Sequence, residues 1–172
     1  DNGSDSLSND TIKLYGNSSY DMSSYAFDST GVEVLQVNGN VSLGSSFKNT
    51  ITILGGAGAD KVVLTSTLTS SFGDGMTGVE SLIGSSGVDT LYGTNVNYLD
   101  AGNGNDLIQV VAGGTAVGGE GDDTIVGFTE TTLIGGAGRD LFVARTFGED
   151  RPYVYDDTTP EQFDLAYVKD ET

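Results

Sequence analysis

The chain has 172 residues, 26 of them glycine and 2 proline, with 25 acidic side chains against 7 basic ones and a net charge of −18. That balance opposes electrostatic binding to nucleic acid or to an anionic membrane and makes cations the natural partners. Neither cysteine nor histidine is present, which excludes disulfides, thiolate metal sites, the usual zinc ligand, the usual general base and Ser-His catalytic triads.

In chain order, the opening "DNGSDSLSND" lacks the basic-then-apolar character of a signal peptide, and "NSSYDMSSYAFDST" is polar and irregular. Residues 1–30 therefore read as an N-terminal flank or cap. No apolar run approaches the roughly 18 residues of a membrane span. From Gly31, "GVEVLQVNGNVSL" is echoed by "GVESLIGSSGVDTL" from Gly78, and Gly56 is echoed by Gly102, at an offset of 46 to 48 residues. The echo predicts that residues 31–54 are decayed turns of the same repeating structure, held by apolar ladders alone, with Val41 falling near the place of Asp89.

The repeat itself is explicit from residue 55 onward. "GGAGADKVV" from Gly55, "GSSGVDTLY" from Gly84, "AGNGNDLIQ" from Ala101, "GGEGDDTIV" from Gly118 and "GGAGRDLFV" from Gly135 share one pattern. The pattern is Gly-Gly-x-Gly-x-Asp-x-apolar-x, a tight turn, an acid and a short strand. The aspartates are Asp60, Asp89, Asp106, Asp123 and Asp140, separated by 29, 17, 17 and 17 residues. Two positions after each stands Val62, Leu91, Ile108, Ile125 or Phe142, and two positions before each copy stands Ile53, Leu82, Leu99, Ala116 or Leu133. A 17-residue period is too short for a helical hairpin repeat and suits one turn of a solenoid with two short strands and two bends. In the longer first interval, "TSTLTSSFGDGM" looks inserted.

Stacked turns about 4.8 Å apart place the aspartates in a column on one edge. Unit charges at that spacing repel by roughly 1 kcal/mol in water and by roughly 3–4 kcal/mol at an effective dielectric near 20. A cation held between turns by carboxylates and by the carbonyls of the glycine-rich bends removes the penalty. A flexible all-oxygen site suits Ca²⁺ better than Mg²⁺. The candidate ligands are Asp89, Gly102, Asn103, Gly104, Asp106, Gly119, Glu120, Gly121, Asp123, Gly136, Gly138 and Asp140, with Asp60 added if its interval is one turn bearing a bulged loop. Asp122 reads as a solvated turn residue.

The motif resembles the RTX calcium-binding nonapeptide, most specifically over residues 84 to 143 and again over 55 to 63. The resemblance implies a right-handed parallel β-roll with Ca²⁺ between adjacent turns. It further implies a secreted bacterial protein that leaves unfolded through a type I channel and folds in the calcium-rich exterior. Many RTX arrays build two calcium edges, but here the return halves "VAGGTAV" and "GFTETTLI" lack the motif aspartate, so one edge is expected, with three inter-turn ions and a fourth at Asp60 only if the 29-residue interval before Asp89 is one turn with a bulging loop. Ser85 in place of the second glycine predicts a weaker first site. The final "ARTFGEDRPYVYDDTTPEQFDLAYVKDET" resembles the block that closes such arrays.

The reading is thus an all-β, right-handed parallel β-roll or β-helix solenoid with turns of about 17 residues over residues 31–143 and a C-terminal cap over 144–172. It is not an enzyme. The expected function is that of an extracellular calcium-binding structural module of adhesin or surface-layer type, secreted or on the bacterial cell surface; the alternative is a non-catalytic repeat module of a secreted polysaccharide-active enzyme, hydrolase or toxin. Its expected partners are calcium ions, neighbouring domains of a longer chain, and cell-surface polysaccharide or like modules, with no nucleic acid and no membrane insertion.

Overall fold

The computed structural model describes residues 11–14, 18–24, 34–44, 52–67, 73, 76–111, 113–146, 153–155 and 164–169. Among them the chain forms strands only: β1 (Thr11–Lys13), β2 (Ser18–Met22), β3 (Val34–Val37), β4 (Gly39–Leu43), β5 (Thr52–Gly55), β6 (Lys61–Leu64), β7 (Met76–Thr77), β8 (Ser81–Ile83), β9 (Thr90–Gly93), β10 (Tyr98–Asn103), β11 (Leu107–Val110), β12 (Thr115–Glu120), β13 (Thr124–Gly127), β14 (Thr132–Ala137), β15 (Leu141–Thr146), β16 (Tyr153–Tyr155) and β17 (Asp164–Lys169). Every pairing is parallel, with successive coils in the later part 17 residues apart. The fold is a parallel β-solenoid.

Three sheets run along it. Sheet A has the order β1-β3-β5-β7, sheet B the order β16-β14-β12-β10-β8-β6-β4-β2, and sheet C the order β17-β15-β13-β11-β9. Sheet B is the spine. Early coils pass from A to B, later coils from B to C, and the coil β7-β8-β9 visits all three. The expectation of a single pair of apolar columns in phase throughout is therefore corrected at its first copy. Ile53 lies in the sheet A ladder with Leu35 and Met76. Val62 lies in the sheet B ladder Val41, Val62, Leu82, Leu99, Ala116, Leu133. Only the later copies place Leu91, Ile108, Ile125 and Phe142 together, on sheet C. Val41 is an inward residue of this spine, not a counterpart of Asp89, and the echoed segments sit on different faces, β3 on A and β8 on B.

β3, β6, β9 and β13 alternate half-exposed and buried residues, the period-2 pattern that turns β-branched and leucine side chains inward. Between sheets B and C the volumes compensate coil by coil. Gly93 faces the Leu99 side chain and Gly127 faces Leu133, whereas in the intervening coil Val110 stands where those glycines stand and Ala116 where the leucines stand. Interiors at crystal-like density tolerate neither two large residues nor two small ones at such a pair.

The parallel ladders reach into both flanks of the chain. β1 and β2 pair with β3 and β4, and β16 and β17 add to β14 and β15. Sheets A and C end inside the solenoid, where open edges would invite association. Gly73, at φ +118°, lies directly on the backbone of Tyr92 in β9, and the Asn95 side-chain amide donates to the Met76 carbonyl of β7 at 3.1 Å. Most of the segment read as inserted lies outside the described residues.

Candidate metal centre

The corner between sheets B and C carries the acid column. Asp89, Asp106, Asp123 and Asp140 each immediately precede a strand of sheet C, and each is at most 2% exposed. The carboxylates of Asp106, Asp123 and Asp140 each reach back one coil: the Asp89 N–H donates to Asp106 Oδ1 at 2.7 Å, the Asp106 N–H to Asp123 Oδ1 at 2.8 Å, and the Asp123 N–H to Asp140 Oδ1 at 2.9 Å. This relay aligns the column and leaves the second oxygens, Asp106 Oδ2 and Asp123 Oδ2, buried without a hydrogen-bond donor. A buried, unpaired carboxylate oxygen is costly.

Two conformations of the bend explain why. At Asp60 and Asp89 the second motif residue, Gly56 or Ser85, is not at positive φ. Its amide turns inward and donates to the aspartate Oδ2, at 2.7 Å in both. In the next three copies the second residue is Gly102, Gly119 or Gly136, at φ +98°, +115° and +101°. Rotating about that φ reverses the preceding peptide, and no amide reaches Oδ2 of Asp106 or Asp123. Instead, oxygen meets oxygen: the Gly135 carbonyl and Asp123 Oδ2 converge beside the Cα of Gly118, in space that a Cβ would fill. Only glycine fits here, and the facing oxygens call for a proton or a cation between them.

The electrostatics agree. Burial, reinforced by the neighbouring charge of Asp89, pushes the Asp106 carboxyl up to about 6 against the pull of the Asp89 N–H. Burial again, with the charges of Asp106, Asp140 and Asp122, pushes Asp123 up to about 7. The column resists ionisation in the absence of a counter-charge. Among the described residues no three carboxylates converge on one point, so a cation held here would need backbone carbonyls as well, as the hard-oxygen chemistry of Ca²⁺ allows.

Asp60 stands apart, on the corner between sheets A and B, 20 residues before Glu80 and 29 before Asp89. Its Oδ1 accepts the Gly39 N–H at 2.5 Å, its Oδ2 accepts the Gly56 N–H at 2.7 Å, and its own N–H donates to Glu80 Oε2 at 2.6 Å. The alignment of Asp60 with the other aspartates is therefore corrected: both of its oxygens are engaged by amides and its neighbour in the stack is Glu80. The longer glutamate does at this corner what aspartate does at the other, which no motif in the sequence signals.

Of the other expected ligands, Gly104, Gly121 and Gly138 also hold positive φ, at +135°, +125° and +135°, and stack against one another's carbonyls. Asn103 and Glu120 are exposed at strand ends, and the Glu120 carbonyl accepts the Gly104 N–H at 2.7 Å. Asp122 is exposed and accepts the Arg139 N–H at 2.9 Å, while its own N–H donates to the Asn105 side chain. The sequence reading missed Gly118 and Gly135, the first glycines of their motifs, which leave the space and supply the carbonyl beside Asp123; their place in the motif was the available signal.

No curated protein and no solved structure matches the chain. The family model described as the RTX calcium-binding nonapeptide repeat (4 copies) matches residues 74–108 and 113–128. That span takes in the Asp89, Asp106 and Asp123 bends. Repeats of this kind are structural elements that bind calcium, not catalytic ones. With a repeated glycine-aspartate bend and a parallel coil, this part of the chain is similar in sequence to the RTX calcium-binding nonapeptide repeat.

Proposed function

We propose that this chain is an extracellular structural module, of adhesin or surface-layer type, whose B/C corner folds around Ca²⁺. The observation that carries the reading is the pair of buried, donor-free oxygens, Asp106 Oδ2 and Asp123 Oδ2, with the Gly135 carbonyl turned toward the latter. Asp106, Asp123 and the first-glycine carbonyls of the following bends would hold the ion, and Asp140 continues the column. Calcium supplies positive charge where oxygens face each other.

At a free concentration ten times its Kd, each independent site adds about 1.4 kcal/mol. Two or three such sites weigh heavily against a stability of about 5–15 kcal/mol. Extracellular modules bind Ca²⁺ at about 10⁻⁴ to 10⁻³ M, so such a module stays open in a calcium-poor cytosol and closes outside. A right-handed coil accords with the chirality of parallel crossovers. Capping by residues 144–172 accords with β16 and β17 extending sheets B and C.

The test is a far-UV circular dichroism titration with Ca²⁺, with chelator and Mg²⁺ as controls, on the wild type and Asp123→Ala. A cooperative gain of β signal with Ca²⁺ alone, weakened in the variant, is expected. A chain fully folded in chelator and indifferent to both calcium and Asp123 refutes the proposal.

A further inference from the structure

We propose that Ser85 is a built-in substitute for calcium at Asp89 Oδ2, so that this oxygen is satisfied without an ion while the corresponding oxygens of Asp106 and Asp123 require one. The inference rests on the calcium reading above and divides the acid column into two kinds of bend. Asp89 Oδ2 receives both the Ser85 N–H at 2.7 Å and the Ser85 hydroxyl at 2.8 Å. The oxygen that is bare at Asp106 and Asp123 here has two donors. The hydroxyl is itself fixed, because Ser85 Oγ accepts the Gly87 N–H at 3.2 Å, and Ser85 is buried at 8% exposure.

Backbone and side chain point the same way. The later copies place glycine at this position and hold it at φ +98° to +115°, a region that L side chains rarely adopt. A serine there keeps the peptide in the orientation that sends its amide toward the carboxylate. Asp89 Oδ1 is the atom that, in the following aspartates, accepts the amide of the preceding coil's aspartate. Asp89 Oδ1 is buried without a hydrogen-bond partner, because among the described residues no aspartate one coil earlier on this corner supplies that amide. At Oδ2 the Asp89 bend thus stands as a metal-free seam between coils packed by apolar ladders and coils that need ions. Through its N–H to Asp106 Oδ1 it offers the first ion-dependent bend a formed template.

The experiment counts Ca²⁺ bound by native mass spectrometry and by titration calorimetry, on the wild type, Asp89→Asn, Asp123→Asn and Ser85→Gly, each checked for β signal in calcium. Asp89→Asn is expected to bind as many ions as the wild type, Asp123→Asn one fewer, and Ser85→Gly one more. Loss of an ion in Asp89→Asn, or no gain in Ser85→Gly, overturns the role of Ser85 while calcium binding itself stands. If Ser85→Gly does not fold, Asp89→Asn alone decides. Binding of no calcium by the wild type refutes the function proposed above, a different outcome from either of these.

Discussion

Replacing Asp123 by asparagine separates the charge of the column from its hydrogen bonding. An amide oxygen can still accept the Asp106 N–H, now at 2.8 Å from Asp123 Oδ1, but the side chain no longer ionises. The native carboxyl is pushed from 3.8 up to about 7, chiefly by burial. Because the folded-state value lies above the unfolded one, its contribution to the stability of the calcium-free fold is complete below about pH 4 and is lost as pH rises through about 7. The distance between the two values sets a ceiling of roughly 4 kcal/mol on the cost of holding the group ionised, and solvent screening at the corner reduces that to about 2 kcal/mol. At roughly 2–4 °C per kcal/mol for a chain of this size, Asp123→Asn in chelator at pH 8 melts about 4–8 °C above the wild type. The gain disappears by pH 4. In saturating calcium the order inverts, since the wild type gains an ion that the variant cannot hold. Thermal melts followed by circular dichroism across pH 4 to 8, with chelator and with calcium, give all four comparisons. A variant that melts below the wild type at pH 8 in chelator, or a wild type whose chelated stability is flat over this range, refutes the reasoning.

Protons and calcium compete for the same oxygens, so the apparent calcium affinity of the wild type falls as pH is lowered from 8 to 5, most steeply near 6 to 7 where Asp106 and Asp123 titrate; calorimetric titrations at three pH values measure it. Gly118→Ala places a methyl group against Asp123 Oδ2 and the Gly135 carbonyl, and is expected to abolish one calcium site and to lower the melting temperature in calcium more than in chelator. Ala116→Leu overfills the coil in which Val110 already occupies the small position, costing about 1–3 kcal/mol. Adding Val110→Gly restores the Gly93–Leu99 arrangement and recovers most of that loss in urea unfolding. Asn95→Ala removes the donor on the Met76 carbonyl at the end of sheet A and should cost about 1 kcal/mol, with faster hydrogen exchange confined to β7 and its neighbours.

The nonapeptide is a local unit, strand then bend then strand, and most of what lies inside it was legible: the period, the inward columns of the last four copies, the aspartate column and most of the glycines at the turns. Local geometry depends on residues a few positions apart, and the motif states them directly. Which corner of the solenoid a copy occupies depends on how many residues the chain spends returning between copies, and the same nine residues serve either corner. Hence the first copy looked like a fifth member of one column, although its strands lie on sheets A and B and its partner is Glu80. The two forms of the bend were half visible, because the sequence marks Ser85 as a departure. Gly56 and Gly102 are the same residue type, and only the packing of neighbouring coils decides that one turns an amide and the other an oxygen toward its aspartate. The sequence by itself determined a repeating acidic coil with calcium chemistry. The tertiary structure decided where the column begins and which carboxylates already have a donor, because those properties depend on contacts 17 to 21 residues apart and are not written in any single copy.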